Sequence, residues 1–313
     1  MCGITGYIGN DTAGPIIHQG LKNLEYRGYD SAGIALNGSG LTIHKTEGKV
    51  DELPVPSQDQ ATCGIGHTRW STHGEPTTTN AHPHTDCTGS VAVVHNGIVE
   101  NYDDLREELR DDHVFHSETD TEVIPHLIET HLAEDVSLLT AVQRTTSQLD
   151  GSYAIAVTAT DHDEIIVARE DSPLLIGHSD DETFIGSDAT AFIDHTDRVT
   201  YLENHDIAQI TTESVTIYND GQQVNRSTET LDWDADAAGK SGYDHYMLKE
   251  IHEQPRALRQ EISGRIKDLS TTVDLDIDLP EAYLQSIEEL QIIACGTSYH
   301  AGLFAKDLLE AHA

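Results

Sequence analysis

Positively charged side chains are scarce in this chain of 313 residues. It has 18 Lys and Arg residues against 55 Asp and Glu residues, a formal net charge of −37 with neutral histidine. Nucleic-acid binding depends on basic patches that neutralise phosphates, and so few cations cannot form a continuous patch. Attraction to an anionic membrane surface is disfavoured for the same reason. We therefore expect neither nucleic acid nor a membrane as a partner.

Long apolar runs and cysteine patterns are also missing. No stretch of about 18 apolar residues exists, and the first residues lack the basic and apolar regions of a signal peptide. The four cysteines, Cys2, Cys63, Cys87 and Cys295, form no CxxC pair and no secretory spacing, so a disulfide framework is not expected. These absences predict a soluble, cytoplasmic protein.

The acidic excess is spread along the chain. Acidic interaction tails carry blocks of about five or six like charges, and no such block dominates this sequence. A dispersed acidic surface repels itself at low ionic strength and is tolerated where salt screens it, because the Debye length falls to about 3 Å at 1 M. We interpret the composition as that of a protein from a salt-rich cytoplasm.

Hydrophobic periodicity predicts an α+β chain. Strands cluster before and after one helical block instead of alternating with helices, which is typical of layered domains with mainly antiparallel sheets. Ile17, Leu21 and Leu24 predict an early helix. Strands are predicted over Cys2–Ile8, 32–36, 62–67, 91–95, 153–159, 164–168, 174–176, 183–185 and 206–210.

The central block is predicted to hold two helices. Leu105 and Leu109 mark the apolar face of the first. Thr119-Asp120-Thr121-Glu122 has the spacing of a capping box, which opens an amphipathic helix from Val123 onward.

Cys2 directly follows the initiator methionine. If Met1 is removed, which the small side chain at position 2 favours, Cys2 gains a free α-amine whose reference pKa of about 7.7–8.0 suits a general base. Nucleophile and base then belong to one residue, as in enzymes with an N-terminal threonine. A cysteine at position 2 is by itself usually of no consequence, so this interpretation depends on the other motifs.

A series of ordered motifs resembles a known family. They are Met-Cys-Gly-Ile at the start, Leu-Glu-Tyr-Arg-Gly-Tyr-Asp-Ser-Ala-Gly at 24–33, His-Thr-Arg-Trp-Ser-Thr-His-Gly at 67–74, His-Asn-Gly at 95–97 and Ser-Glu-Thr-Asp-Thr-Glu at 117–122. Together they resemble the class II glutamine amidotransferases. With Asn-Ala-His-Pro-His at 80–84, the set resembles the glutamine–fructose-6-phosphate amidotransferase family, which makes glucosamine-6-phosphate. The resemblance implies an N-terminal-nucleophile glutaminase domain of four αββα layers at 2–231.

The resemblance also implies residue roles. Cys2 would attack the side-chain amide of L-glutamine to give a thioester and ammonia, while the Asn96 side chain and the Gly97 N–H stabilise the oxyanion. Arg27 would support the asparagine or the nucleophile. The residues implied to hold the glutamate moiety are Arg69, Thr72, His73, Gly97 and Asp120, with Trp70 on the loop that closes over it.

Charge complementarity agrees with two of these roles, since Arg69 can bind the α-carboxylate bidentately and Asp120 can bind the α-ammonium. Simpler interpretations stay open for each residue on its own. Arg69 can be one surface cation, and Asp120 suits the first turn of a helix. Asn96-Gly97 is also the signature of a type I′ hairpin turn.

A metal site at His82, His84 and Cys87, together with His73, is not expected. The spacing fits no zinc pattern, and the resemblance implies a loop without metal. The resemblance implies no cofactor either. Cys63 lies in a predicted strand and is expected to be a small buried apolar side chain.

Residues 232–242 have few apolar side chains and two glycines, which indicates a linker before a second part at 243–313. There the sequence predicts helices over 243–262, with a break at Pro255, and over 281–290. An apolar strand at 291–295 then runs into Gly-Thr-Ser and a further helix. This turn fits a phosphate cradle.

The same turn resembles the first phosphate-binding turn of the family's sugar isomerase domain, which implies that Thr297 and Ser298 contact fructose-6-phosphate. We expect the truncated start of a doubly wound α/β isomerase domain, because such a sheet needs more βα units. The chain alone is then expected to act as a glutaminase only, and the full-length enzyme is expected to be a homodimer.

Two alternatives remain open at this point. One is the glutaminase half of another class II amidotransferase, such as a phosphoribosyl-pyrophosphate or asparagine-synthesising enzyme, against which the phosphate-binding turn argues. The other is a non-catalytic regulatory module of the same fold, against which the complete set of implied site residues argues.

The acidic composition leads to a prediction about salt. Because the carboxylates repel one another most strongly when unscreened, the unfolding temperature should rise as KCl is increased from about 0.1 to about 2 M. Circular dichroism melting curves measure this. Maximal stability in salt-free buffer would contradict the interpretation.

Overall fold

The structure is a computed structural model that describes residues 2–55, 60–70 and 74–231, short stretches between 245 and 287, and residues 289–312. It divides into two compact units, Met1–Gly239 and Lys240–Ala313. The linker at 232–242 and the second part at 243–313 remain predictions from the sequence.

Short apolar segments with alternating faces form the strands of the first unit. Their bounds are β1 (Gly3–Ile8), β2 (Ser31–Asn37), β3 (Leu41–Glu47), β4 (Cys63–Arg69), β5 (His84–Thr85), β6 (Val91–Val99), β7 (Gly151–Ala159), β8 (Glu164–Glu170), β9 (Leu175–His178), β10 (Thr183–Gly186), β11 (Arg198–Tyr201), β12 (Asp206–Thr211), β13 (Val215–Asn219), β14 (Gln222–Val224) and β15 (Thr228–Thr230).

These strands form two sheets. The eight-stranded sheet has the order β15-β11-β9-β10-β1-β4-β2-β3, and the seven-stranded sheet has the order β14-β13-β12-β8-β7-β6-β5. The strand β1 pairs antiparallel with β4 on one side and with β10 on the other. All six residues of β1 are buried, so the chain begins in the middle of a sheet that is covered on both faces.

Four helices cover the outer faces of the sheets. Their bounds are α1 (Ala13–Leu24), α2 (Tyr102–Leu109), α3 (Val123–Leu132) and α4 (Leu138–Thr146). One apolar core joins α1 to the first sheet, a second lies between the sheets, and a third joins the second sheet to α2, α3 and α4. The α+β class and the four-layer αββα order expected from the sequence are therefore confirmed.

Successive side chains of a strand point to opposite faces of the sheet, so one strand can contribute side chains to two apolar cores. In β6, Val91 and Val93 belong to the core beneath the helices, whereas Ala92 and Val94 belong to the core between the sheets. Cys63 is buried between the sheets as expected, and burial raises the pKa of its thiol to about 12.

The predicted capping box is wrong in its detail. A 3₁₀ turn, Asp120–Glu122, precedes α3, and the Thr119 side chain caps no helix amide. The Glu122 carboxylate instead accepts hydrogen bonds from the backbone N–H groups of His116 and Ser117, each at 2.7 Å. These bonds fix the path of the segment that carries Asp120.

A close backbone approach explains one glycine of the motif at 24–33. A Cβ atom on Gly33 would lie 2.1 Å from the backbone oxygen of His82. Glycine at this position therefore lets the 80–84 segment pack directly against β2.

The second unit is described in part. A strand pair, β16 (Ile266–Asp268) and β17 (Thr272–Val273), precedes the helix α5 (Gly296–His312). The predicted helix is present, but it begins at Gly296, so Gly-Thr-Ser forms its first turn and the separate turn predicted before it is wrong. The strand predicted at 291–295 is wrong: these residues form no strand, and among the described residues no strand covers Ile293, which is 94% exposed.

The other predictions for this unit fall largely outside the described residues. Of 243–262, residues 247–248, 251–252 and 254–255 are described and helical. Of 281–290, Tyr283 is helical, whereas 286–287 and 289–290 are not. In the described part of the chain, no helix is long and apolar enough to cross a bilayer, and all four cysteines are free.

Candidate active site

The register between β1 and β4 places Cys2 beside the end of β4. Gly3 pairs with Thr68, so Cys2 lies next to Arg69 and Trp70. The Trp70 backbone N–H donates a hydrogen bond to the Cys2 thiol sulfur at 3.2 Å. This donor stabilises a thiolate, but burial has the larger effect and raises the pKa of Cys2 above its ordinary value. The thiol therefore needs a base to react near neutral pH.

Two side chains hold the backbone carbonyl of Cys2. Arg27 donates from Nε at 3.1 Å, and Asn96 donates from Nδ2 at 3.2 Å. The Arg27 side chain is 8% exposed, and its Nη1 lies 3.4 Å from the Asp188 carboxylate. Arg27 thus contacts the Cys2 backbone directly, consistent with the supporting position expected for it.

A buried histidine orients the Asn96 amide. Because Asn96 Nδ2 donates to the Cys2 carbonyl, its Oδ1 must accept from His67 Nε2, which lies 3.0 Å away. Burial lowers the pKa of His67 to about 3, so its ring is neutral and carries one proton, on Nε2. His67 was not predicted as a site residue. The signal for it was its position two residues before Arg69, which places both side chains on the same face of β4.

The hairpin interpretation of Asn96-Gly97 is wrong. Both residues lie inside β6, opposite Ala154 and Tyr153 of β7. Gly97 has a φ of +137°, and a Cβ atom there would lie 1.9 Å from the backbone oxygen of Ser152. Glycine is therefore required by both backbone conformation and space.

The predicted residues converge on a small cavity. Its volume is about 20 Å³, the space of roughly one water molecule. The residues that line it are Cys2, Arg69, Trp70, His82, His95, Gly97, Thr119, Asp120 and Thr121. The wall therefore carries the thiol together with one cation and one anion.

Both charged residues on this wall are buried, which excludes the interpretation of Arg69 as a surface cation. Arg69 is 4% exposed and donates to the backbone oxygens of Glu75 at 3.1 Å and Gly74 at 3.3 Å. Burial lowers the pKa of Arg69, and the charges of Cys2, Asp30 and Asp120 oppose this effect. The Asp120 carboxylate accepts from the Val99 N–H at 2.8 Å.

Neutral histidines line the cavity or pack against its wall. His82 stacks on His67 with ring centroids 4.2 Å apart and meets His84 edge-on at 4.8 Å. Burial lowers the pKa of His82, His84 and His95. Cys87, considered with His82 and His84 as a metal ligand, instead places its sulfur 3.7 Å from both His113 and His126.

Trp70 also lines the cavity, and four further predicted residues do not appear among its lining residues. Thr72 and His73 fall outside the described residues. Trp70 is 44% exposed and packs edge-on against Tyr29, with ring centroids 5.4 Å apart. Thr297 and Ser298 lie exposed in the first turn of α5.

A known protein family matches the part of the chain that holds most of the cavity residues. Residues 67–194 match the family described as a glutamine amidotransferase domain. The chain contains a glutamine amidotransferase domain. This match includes Arg69, Asn96, Gly97 and Asp120.

Sequence relatives match over the whole chain. It is 73% identical over 314 residues to a glutamine–fructose-6-phosphate aminotransferase (isomerizing) of Halobacterium salinarum, covering 100% of this chain and 52% of that protein. A protein of the same description from Methanosarcina acetivorans is 43% identical over 325 residues, covering 99% and 53%. The chain spans about half the length of the curated relatives it matches. The resemblance stated from the motifs is confirmed, and a relative in Halobacterium agrees with the halophilic composition.

Solved structures of amidotransferases share the fold. The glutamine phosphoribosylpyrophosphate amidotransferase of B. subtilis superposes with a TM-score of 0.60 at 30% identity, covering 72% of this chain and 50% of that one. The four-layer fold around Cys2 is therefore that of the N-terminal-nucleophile amidotransferases.

Burial of Cys2 predicts the pH dependence of its alkylation. Only the thiolate reacts, and the pKa of this thiol lies above its ordinary value of 9.0. In protein that retains Met1, the alkylation rate at Cys2, followed by peptide mass spectrometry, should still be rising at pH 9. A rate that reaches its plateau below that pH would contradict the assignment of burial as the dominant effect.

Proposed function

We propose that this chain hydrolyses the side-chain amide of L-glutamine to glutamate and ammonia, with Cys2 as the nucleophile. The observation that carries the proposal is the convergence of Cys2, Arg69, Gly97 and Asp120 on one cavity. The cavity pairs each reacting or charged group of glutamine with a side chain or backbone group. The thiol and the oxyanion donor suit the side-chain amide, the cation suits the α-carboxylate, and the anion suits the α-ammonium.

The reaction begins with proton transfer from the thiol. Once Met1 is removed, the α-amine of Cys2 accepts this proton, and the sulfur bonds to the amide carbon of glutamine. The negative charge that develops on the amide oxygen is stabilised by Asn96 Nδ2 and the Gly97 N–H. Nδ2 has two protons, of which one is engaged by the Cys2 carbonyl. The second is available to the oxyanion.

The intermediate collapses by breaking the carbon–nitrogen bond. The ammonium formed from the α-amine returns its proton to the departing nitrogen, which leaves as ammonia and a glutamyl thioester remains. Water then attacks the thioester through a second oxyanion in the same donor pair. Glutamate leaves and the thiol is restored.

The α-carboxylate and the α-ammonium of glutamine each bind a side chain of the opposite charge. Arg69 binds the α-carboxylate and Asp120 the α-ammonium, with Thr72 and His73 completing the set implied by the motifs. Glutamine is much larger than one water molecule, so the cavity wall must open to admit it. Trp70 is the exposed part of that wall, which supports its place on a closing loop.

For a protein of the relatives' length, we propose transfer of the ammonia to fructose-6-phosphate to give glucosamine-6-phosphate in a salt-rich cytoplasm. The two curated relatives carry this aminotransferase name and match all or nearly all of this chain. Thr297 and Ser298 are the proposed phosphate contacts, and a homodimer is the proposed assembly. The phosphoribosylpyrophosphate enzymes share the fold over 72% of the chain at lower identity, which favours the fructose-6-phosphate assignment.

A glutamine analogue with an electrophilic side-chain ketone tests the nucleophile. It should modify Cys2 alone, as mapped by peptide mass spectrometry, and excess glutamine should protect. The Cys2→Ser variant should lose labelling and glutamate production, whereas Cys295→Ser, an exposed cysteine in the second unit, should keep both. Labelling elsewhere, or full glutaminase activity in Cys2→Ser, would refute the proposal.

Arg69→Lys tests the carboxylate site. Lysine keeps the charge but loses the planar fork, and a lost charge-assisted hydrogen bond costs about 1.5–3 kcal/mol. KM for glutamine should therefore rise about 10- to 100-fold while kcat falls less. Arg198→Lys makes the same change at a side chain 55% exposed and should leave both constants unchanged. Equal KM values for the two variants would remove Arg69 from the site.

A further inference from the structure

A second cluster of reactive side chains is formed by three separate segments. Cys87 lies in the loop after β5, His113 follows α2, and His126 and Glu129 are one turn apart on α3. One ligand atom from each of the four residues lies within 4.8 Å of all the others. None of the four takes part in the proposed glutaminase reaction.

The distances within this cluster approach those of a tetrahedral metal centre. Ligands at about 2.0–2.3 Å from zinc lie about 3.3–3.8 Å from one another in a tetrahedron. Cys87 Sγ lies 3.7 Å from Nδ1 of both His113 and His126. Glu129 Oε2 lies 3.5 Å from His126 Nδ1 and 2.9 Å from His113 Nδ1. Three of these four separations already fall in that range.

The protons in the cluster can be assigned from its neighbours. The Thr130 hydroxyl donates its proton to the His126 backbone oxygen at 3.0 Å, so it must accept from His113 Nε2, which is also 3.0 Å away. His113 Nε2 therefore carries a proton. His113 Nδ1 lies 2.9 Å from the Glu129 carboxylate, a distance at which either a second ring proton or a metal ion lies between the two atoms.

Backbone N–H groups donate hydrogen bonds to the two candidate ligands that can carry a negative charge, Cys87 and Glu129. The Val114 N–H donates to the Cys87 sulfur at 3.4 Å, and the Cys87 N–H donates to Glu129 Oε2 at 3.1 Å. Asp86 holds the loop by accepting from the Val91 N–H at 2.7 Å. Outer contacts of this kind fix the direction of metal ligands.

We propose that Cys87, His113, His126 and Glu129 bind one Zn²⁺ ion. A thiolate, two imidazoles and a carboxylate are a donor set that zinc accepts, and their two negative charges balance the ion. With four protein ligands the site is closed, so the ion acts structurally. It joins the loop after β5 and the segment after α2 to α3, and its place in the structure is independent of the glutaminase proposal.

Zinc content and X-ray absorption test the site directly on the 313-residue chain. The chain, stripped with a chelator and reloaded with zinc alone, should hold one zinc per chain with one sulfur and three nitrogen or oxygen ligands. Reloading should also raise the unfolding temperature, because an ion that binds the folded state stabilises it. Absence of stoichiometric zinc, or a zinc shell without sulfur, would show a proton-bridged cluster and overturn the proposal.

Single-residue variants test which side chains hold the zinc ion. Thr130→Val removes an outer contact and should weaken zinc affinity about 10- to 100-fold, measured by competition with a chromophoric chelator. Cys87→Ser should weaken it further and remove the sulfur-to-cobalt absorption of the Co²⁺-loaded chain. Cys295→Ser, at another exposed cysteine, should change neither signal. Equal affinities for Cys87→Ser and Cys295→Ser would contradict the site, whereas glutaminase activity should persist in all three variants.

Discussion

The antiparallel register between β1 and β4 is the constraint on which the site depends. It begins at Gly3 and Thr68, so the residue before β1 must lie beside the residues that end β4. Because β1 is buried on both faces, this register cannot slip by one residue without turning Ile4 and Ile8 out of the core between the sheets. The core thereby fixes the position of Cys2 relative to Arg69 and Trp70, although Cys2 is next to the chain terminus.

Burial then decides the electrostatics around the thiol. The histidines at the cavity are neutral because burial lowers their pKa, so the formal charges on the cavity wall are those of Arg69 and Asp120. A neutral His67 can donate one defined hydrogen bond to Asn96 Oδ1, which turns the Asn96 Nδ2 group toward the Cys2 carbonyl. In the proposed reaction, hydrogen bonding thus orients the oxyanion donor, and the two charges of Arg69 and Asp120 bind the amino-acid group of glutamine.

Local pattern and recognised motifs predicted the central strands, the helices α1, α2, α3 and α5, and five of the residues that line the cavity. They missed β3 because Leu41–Glu47 is half exposed and lacks a clear alternation, and they missed α4, which begins at the Ser137 cap. His67 escaped prediction because its partner, Asn96, is 29 residues away on another sheet. The cluster around Cys87 escaped for the same reason, since tertiary packing joins its three segments.

We propose that Cys2 supplies both the nucleophile and, through its own α-amine, the base. Glutamate production should be compared between protein whose mass shows Cys2 at the terminus and protein engineered to retain one residue before it. We expect turnover by the first form and loss of nearly all activity in the second, because an amide nitrogen cannot accept the thiol proton. Equal turnover by the two forms would contradict it.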